Sequence, residues 1–363
     1  MQGSAIDIIL APVRFLVSVV RRFREHFPLG AFMVSRFFSM VITLFILGFA
    51  VFGLMSLAPG DMVESYVRSM MMSDSGFQRS DNIYTEEAIA AYKAQLGLDR
   101  PFYEQYLSWL YRVFVRGDLG RSLISKAPIL FLIRVRMINS IVLNLISLFF
   151  LTIISFATGI YFSTKVGTKT DIIATVTALF LHSIPYLVLL ILLQLFAAVS
   201  RIFPITAYPD FPFAQNPPRF VFSYLYHIFL PLVGAFLSGI GGTMRYIRST
   251  MLDQLGQPYV TALRARGVSE RRVYFNHAFR NTLNPYITSS ANLLASLFSG
   301  SLLLEIIFSY PGIGRLMYEA IRQEDIYLVL ANIMFISFLV LFGMMLSDIL
   351  LAVVDPRIRY GKE

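Results

Sequence analysis

The stretch Tyr259–Pro285, YVTALRARGVSERRVYFNHAFRNTLNP, is basic and largely polar, and it stands between two long apolar runs. From Arg245 to Pro285 seven arginines (Arg245, Arg248, Arg264, Arg266, Arg271, Arg272, Arg280) face two acids, Asp253 and Glu270. Lipid does not accept such a segment, so it faces water or another protein while the runs on either side enter the bilayer. Two short helices are expected within it. Pro258 suits a first helical position, where its missing N–H has no partner to lose, and Gly267 suits the left-handed stop that follows Arg266. Ser269 is placed to cap a second helix through Ala278, and Pro285 begins the next apolar segment.

Composition agrees with that division. The 363 residues are 56% hydrophobic and 15% charged, with a net charge of +9 and a mean hydropathy of +0.65. These values exclude an ordinary soluble domain and a disordered chain, and leave an all-α polytopic membrane protein. Basic loops flanking apolar spans explain the positive charge, so no nucleic acid is needed as a partner. The absence of cysteine excludes disulfides, thiolate metal sites and a cysteine nucleophile.

Outward from the basic stretch, six transmembrane helices are expected. The first run, Phe37 to Leu57, carries no charge and stops at Ala58-Pro59-Gly60-Asp61. Five more lie at about residues 137–163, 171–200, 227–247, 284–308 and 326–354, each long enough to cross at about 1.5 Å per residue. The resulting division is residues 1–31 as a cytoplasmic or interfacial N-terminal segment, 32–57 as the first span and 58–135 as an extracytoplasmic helical subdomain. Residues 136–354 carry spans two to six with a cytoplasmic loop at 248–283, and 355–363 form a cytoplasmic tail. Ala5 to Val20 is broken by Pro12 and Arg14 and reads as an interfacial helix. In the subdomain, Thr85-Glu86-Glu87 starts one helix that Gly97 stops. Pro101 opens another, with Tyr103, Tyr106, Leu107, Leu110 and Phe114 on one apolar face and Gly117 near its end. With the N-terminus inside, the short inner segments hold sixteen Lys and Arg against four in the short outer ones. Both termini and the basic loop are therefore expected in the cytoplasm.

Motifs for catalysis are missing. The sequence has no G-x-x-x-x-G-K-[ST], H-E-x-x-H or G-x-S-x-G, and His26, His182, His227 and His277 share no ligand spacing. No catalytic, cofactor-binding or metal-binding residue is expected in this chain.

Tyr259 to Gly267, followed by Val268-Ser269-Glu270-Arg271-Arg272 and His277-Ala278-Phe279-Arg280-Asn281, resembles the signature loop of permease subunits of binding-protein-dependent ABC importers, and within them the oligopeptide/dipeptide/nickel permease family. The resemblance continues, in the family's order, through Leu57-Ala58-Pro59-Gly60-Asp61, Leu96 to Leu123, Glu305 to Gly314 (EIIFSYPGIG) and Asp355 to Arg359, and covers residues 36–360. The first 31 residues have no counterpart in the simplest members. It implies a permease subunit in a bacterial cytoplasmic (inner) membrane, forming half of a pathway for peptides or similar small solutes. Its implied partners are membrane lipid, a second homologous permease, two ATP-binding subunits that hold ATP and magnesium, and an extracytoplasmic solute-binding protein. The helix Pro258 to Arg266 then docks in a cleft of the ATPase, with Val260, Ala262 and Leu263 filling it, Arg264 and Arg266 at its polar rim, and Gly267 as pivot. The sequence departs from the wider superfamily at Thr261, where an acid is usual, and at Leu263, where alanine is usual. Without the resemblance, a stand-alone secondary carrier or channel is the alternative.

The spans offer further candidates. Ser289, Asn292, Ser296 and Ser299 form a polar stripe that either lines the pathway or packs against another helix. His182, with Ser183 and Gln194, either faces the cavity or is satisfied structurally. Gly234, Gly239, Gly241 and Gly242 are expected to permit close helix packing. Glu305 and Asp348 need partners inside an apolar environment, and Arg357 or Arg359 suits Asp348. Phe203 to Phe222 reads as an interfacial loop anchored by aromatic residues.

Overall fold

The computed structural model describes residues 28–57, 100–122, 124–283, 301–323 and 325–354. Among them the chain is all-α, with no strand beyond an isolated antiparallel bridge between Arg121 and Pro128. The helices are α1 (Pro28–Leu57), α2 (Phe102–Arg116), α3 (Ile129–Ser163), α4 (Lys169–Ser183), α5 (Tyr186–Ser200), α6 (Pro217–Leu255), α7 (Pro258–Ala265), α8 (Glu270–Arg272), α9 (Leu302–Ile307), α10 (Ile313–Arg322) and α11 (Ile326–Val354). A π-helical turn, Val273–Ala278, follows α8 directly. The expected segments at residues 1–27, 58–99 and 355–363 lie outside the described residues, as does most of the fifth span and the stripe Ser289, Asn292, Ser296, Ser299. The side chain of Asp348 does too.

Among the described residues four helices are long and apolar enough to cross a membrane: α1, α3, α6 and α11. α1, α3 and α6 outrun their expected spans, while α11 coincides with residues 326–354. α3 begins at Ile129, so residues 129–135 are helix continuous with the second expected span. α6 runs for 39 residues, about 58 Å at the helical rise, and therefore projects beyond hydrocarbon. Asn216 opens it by accepting a hydrogen bond from Arg219 N at 3.1 Å, and Pro217 and Pro218 occupy positions where no N–H is needed.

The expected third span is not one straight helix. α4 and α5 meet at 91°. Pro185 cannot donate to the ladder and forces Ile184 into an extended conformation (φ −74°, ψ 122°), so the helix breaks there. Hydropathy hides this break because both halves are apolar.

α3 and α6 make the most extensive helix pair among the described residues. At one end Leu143, Ile228 and Leu230 pack with Leu304, Phe308 and Tyr310. At the other, Ile160 packs with Ile247, Met251 and Ala278. Close contact between helices depends on small residues. A Cβ on Gly241 would sit 2.3 Å from the Ala178 carbonyl oxygen of α4, while Gly234 and Gly239 abut Leu190 and Leu151. Gly242 has ordinary room, 3.7 Å from His182.

The apolar face expected for α2 is rotated. The helix starts after Pro101 and ends on Gly117 in the left-handed region (φ 64°), but it buries Tyr106 and Trp109 against α1 and α11. Tyr103, Leu107 and Phe114 point outward. Phe102, Tyr106, Trp109 and Val113 make a second apolar stripe on the same helix, and tertiary packing selects it over the expected one.

Candidate functional site: the basic loop

Leaving α6, the chain turns at Gly256-Gln257 into α7, whose first residue is Pro258. It ends in a Schellman motif: Val268 N donates to Leu263 O at 3.1 Å and Gly267 N to Arg264 O at 2.9 Å. Gly267 has φ +78°. A Cβ there would meet no atom within 4 Å, so its demand for glycine is a backbone demand alone.

The eight-residue helix divides into an inner and an outer face. Val260 is wholly buried (0% exposed), so it cannot fill a partner's cleft as the sequence suggested. α7 packs on the π-helical turn. Leu263 is half-buried, while Pro258, Ala262, Arg264, Arg266 and Gly267 are exposed. The Tyr259 hydroxyl donates to Gln254 Oε1 at 3.2 Å and accepts from Asn281 Nδ2 at 3.2 Å. One side chain therefore ties α7 both to the helix entering the loop and to the helix leaving it.

Arg264 and Glu270 close the turn from outside, with Nε to Oε1 at 2.8 Å and Nη2 to Oε2 at 3.1 Å. The hydrogen bonds from Arg264 hold the Glu270 carboxyl below the usual carboxylate range. Ser269 stands at the start of α8, but its side chain makes no capping hydrogen bond. The expected second helix is a short α turn continued by the π-helical turn, which buries Val273 and Ala278 and exposes His277.

Behind the loop lies a charge pair absent from the sequence reading. Arg248 of α6 forks onto Asp171 in the first turn of α4, Nε to Oδ1 and Nη2 to Oδ2 at 2.7 Å each. Asp171 is 4% exposed and also accepts from Gly167 N at 3.2 Å. The bidentate pair locks the loop end of α6 to the broken helix.

At the far end of α6, Glu305 is buried completely. Its carboxylate accepts from Ser140 Oγ at 2.7 Å and from Arg315 N at 2.9 Å, capping α10. Ser140 Oγ in turn accepts from Ile313 N at 2.8 Å. A Cβ on Gly312 would lie 2.3 Å from the Glu305 carboxyl carbon. The Tyr310 hydroxyl donates to Asn139 O at 2.6 Å, and Asn139 Nδ2 donates to Pro311 O at 2.9 Å. The segment EIIFSYPGIG is thus one hydrogen-bonded unit against α3, and Glu305 faces inward and not toward another protein. Nearby, Gln194 Nε2 donates to Ile307 O, which gives it a structural partner. His182 is exposed beside Gly242, and Ser183 Oγ donates to Phe180 O at 2.7 Å. In the segment Phe203 to Phe222 aromatic rings pack within the protein: Phe203 stacks on Phe229 at 5.1 Å, and Tyr208 meets Tyr224 and Tyr310 at about 6 Å.

Among the described residues no cluster of His, Asp and Glu suits a metal ion. Residues 155–360 match a family described as binding-protein-dependent transport system inner membrane component. The chain is 32% identical to the oligopeptide transport system permease protein AppB of Bacillus subtilis (strain 168), over 92% of this chain and 100% of that one. It is 28% identical to the inner membrane ABC transporter permease protein YejB of Escherichia coli O157:H7, covering 92% and 99%. A putative peptide transport system permease protein of Brucella abortus (strain 2308) is 31% identical, covering 91% and 99%.

Proposed function

The chain belongs to the binding-protein-dependent transport system inner membrane component family, and from that premise we propose that it forms half of the translocation pathway of an ABC importer for peptides or similar small solutes. The observation that carries the coupling role is α7: a rigidly capped helix, seated by Val260 from within, that presents Ala262 and Leu263 outward with arginines around them. That is the form of a helix-in-groove ligand.

In this reading the chain crosses a bacterial inner membrane six times with both termini and the basic loop in the cytoplasm. The bent pair α4–α5 and the segment around residues 284–308 complete the count. A second permease forms the other half of the pathway, two ATP-binding subunits hold ATP and magnesium, and a solute-binding protein delivers the cargo from outside. Closure of the ATPase pushes α7, and the seat of Val260, Tyr259 and the π-helical turn passes the movement to the paired helices α3 and α6, which rotate as a rigid group. Support for peptides as cargo comes from the relatives, AppB being named an oligopeptide and the Brucella protein a putative peptide transport system permease.

Reconstitution in vesicles tests this directly. Solute uptake requires the second permease, both ATP-binding subunits, ATP and the binding protein; uptake by this chain alone, without nucleotide, establishes a stand-alone carrier in its place. Gly267→Val, which forces a β-branched residue to positive φ, leaves membrane insertion intact and uncouples hydrolysis from uptake. Normal uptake by that variant removes Gly267 as the pivot.

A further inference from the structure

The break at Pro185 divides two half-helices with different attachments. α5 belongs to the far end of α6: Leu190 and Ala197 share a core with Leu304, Phe308 and Tyr310, and Gln194 Nε2 donates to Ile307 O. α4 has α6 as its chief partner among the described residues and touches α3 little. An unbroken helix would be carried along by its other half. Because Ile184 is extended and Pro185 has no N–H, the hydrogen-bond ladder does not run from α5 into α4. Displacement therefore reaches α4 through its flank, and the short turn between Ser163 and Lys169 tethers its start without setting its tilt.

Two places tie that flank to α6. Arg248 forks onto Asp171 at 2.7 Å, and further along both helices Ala178 O stands so near Gly241 that a Cβ there would approach it to 2.3 Å. Asp171 to Ala178 and Arg248 to Gly241 are equal steps, about 10 Å of helical rise, so α4 runs antiparallel to α6 and in register with it. Ala174 and Thr175, between the two places, are small and half-buried. Such a surface lets helices close up without interlocking. The Ala178 contact fixes one point of α4, the fork fixes a second, and two points set the tilt. Gly167 N also donates to Asp171, at 3.2 Å, so the carboxylate holds the turn that enters α4 as well as the helix itself. A planar guanidinium on a carboxylate fixes direction in addition to distance, which a lysine ammonium does not.

We propose that Asp171 and Arg248 are positioning residues of the transport cycle, their fork making α4 follow α6 when the basic loop is displaced. Given the coupling role of α7, on which this rests, α6 receives the displacement first. Arg248 lies about two turns before the loop and passes the movement sideways to Asp171. An α4 that lags leaves its half of the bent pair in the resting position, and hydrolysis then proceeds without matching uptake.

The chain has no cysteine, so spin labels on Ile173→Cys in α4 and Tyr246→Cys in α6, both exposed positions, report the distance between the two helices in the assembled transporter. In the parent that distance is the same with and without ATP. In Arg248→Lys, which keeps the charge and loses the fork, it shifts or broadens when ATP is added. In vesicles holding all subunits and the binding protein, uptake per ATP hydrolysed falls about tenfold in Arg248→Lys, the factor that loss of one charge-assisted hydrogen bond places on following against lagging. A role in stability alone lowers the amount of assembled transporter and leaves that ratio unchanged. Asp171→Asn, which keeps the shape of the side chain, gives the same fall where Arg248→Lys does not assemble. An ATP-driven change of distance in the parent, a constant distance in Arg248→Lys, or the parent ratio in either variant overturns the proposal. Uptake by the parent chain without ATP-binding subunits overturns instead the function on which it rests.

Discussion

The two ends of α6 are built on opposite plans. At the end near Tyr224, polar groups are buried and answered within the chain: Glu305 by Ser140 and Arg315, Tyr310 by Asn139 and Tyr224, Asp325 by Ser122. At the other end, α7 shows Pro258, Ala262, Arg264 and Arg266 to the surroundings and keeps only Val260 inside. A self-satisfied end is a fixed platform, whereas an end that leaves charge and apolar surface outward is fitted for a partner. Loss of a buried charge partner, at Glu305 or behind the loop at Arg248, should therefore be felt as stability, and loss of an exposed side chain of α7 as association.

The largest effects are expected where buried charge loses its answer. Arg248→Ala leaves Asp171 buried and unpaired and should destabilise the protein by about 3–5 kcal/mol, read as a lowered thermal unfolding temperature in detergent. Glu305→Ala strips acceptors from Ser140 and the start of α10, and about 3 kcal/mol should be lost by the same measurement. If either variant is as stable as the parent, the buried networks are not what holds their end. Next in size, Gly241→Val drives a side chain into the Ala178 carbonyl and should cost about 1–3 kcal/mol by forcing α4 and α6 apart.

At the basic loop the expectation reverses. Leu263→Asp should leave the unfolding temperature within a degree or two while the ATP-binding subunits fail to co-purify; unchanged co-purification removes Leu263 from the docking face. The smallest effect belongs to Glu270→Gln. Because hydrogen bonds from Arg264 lower the folded pKa of Glu270, the contact contributes at neutral pH and is lost only as pH falls through that lowered value. The variant should be slightly less stable than the parent at neutral pH and match it on the acid side, where Glu270 of the parent is protonated, a difference screened by salt.

Much of the fold is legible because it rests on local chemistry. Charge-free runs mark α1, α3, α6 and α11, and Pro258 and Gly267 fix α7 to within a residue because they act through the backbone. Features set by distant residues are not legible. Asp171 and Arg248 are 77 positions apart, and Ser140 and Glu305 are 165 apart. The burial of Val260 depends on what stands behind an eight-residue helix, and nothing in its own spacing distinguishes it from Leu263. Which of the two apolar sides of α2 is buried in the protein is not legible in that helix's own spacing, and the Pro185 break is hidden because hydropathy is blind to backbone geometry.

The chain has no cysteine, so single cysteines at Val260, Ala262 and Leu263 report the docking face without background. In the assembled transporter, cross-linking to a cysteine in the cleft of the ATP-binding subunit should be strong from Leu263→Cys and Ala262→Cys and absent from Val260→Cys. Cross-linking from Val260→Cys with none from the other two would contradict the division of α7 into an inner seat and an outer docking face.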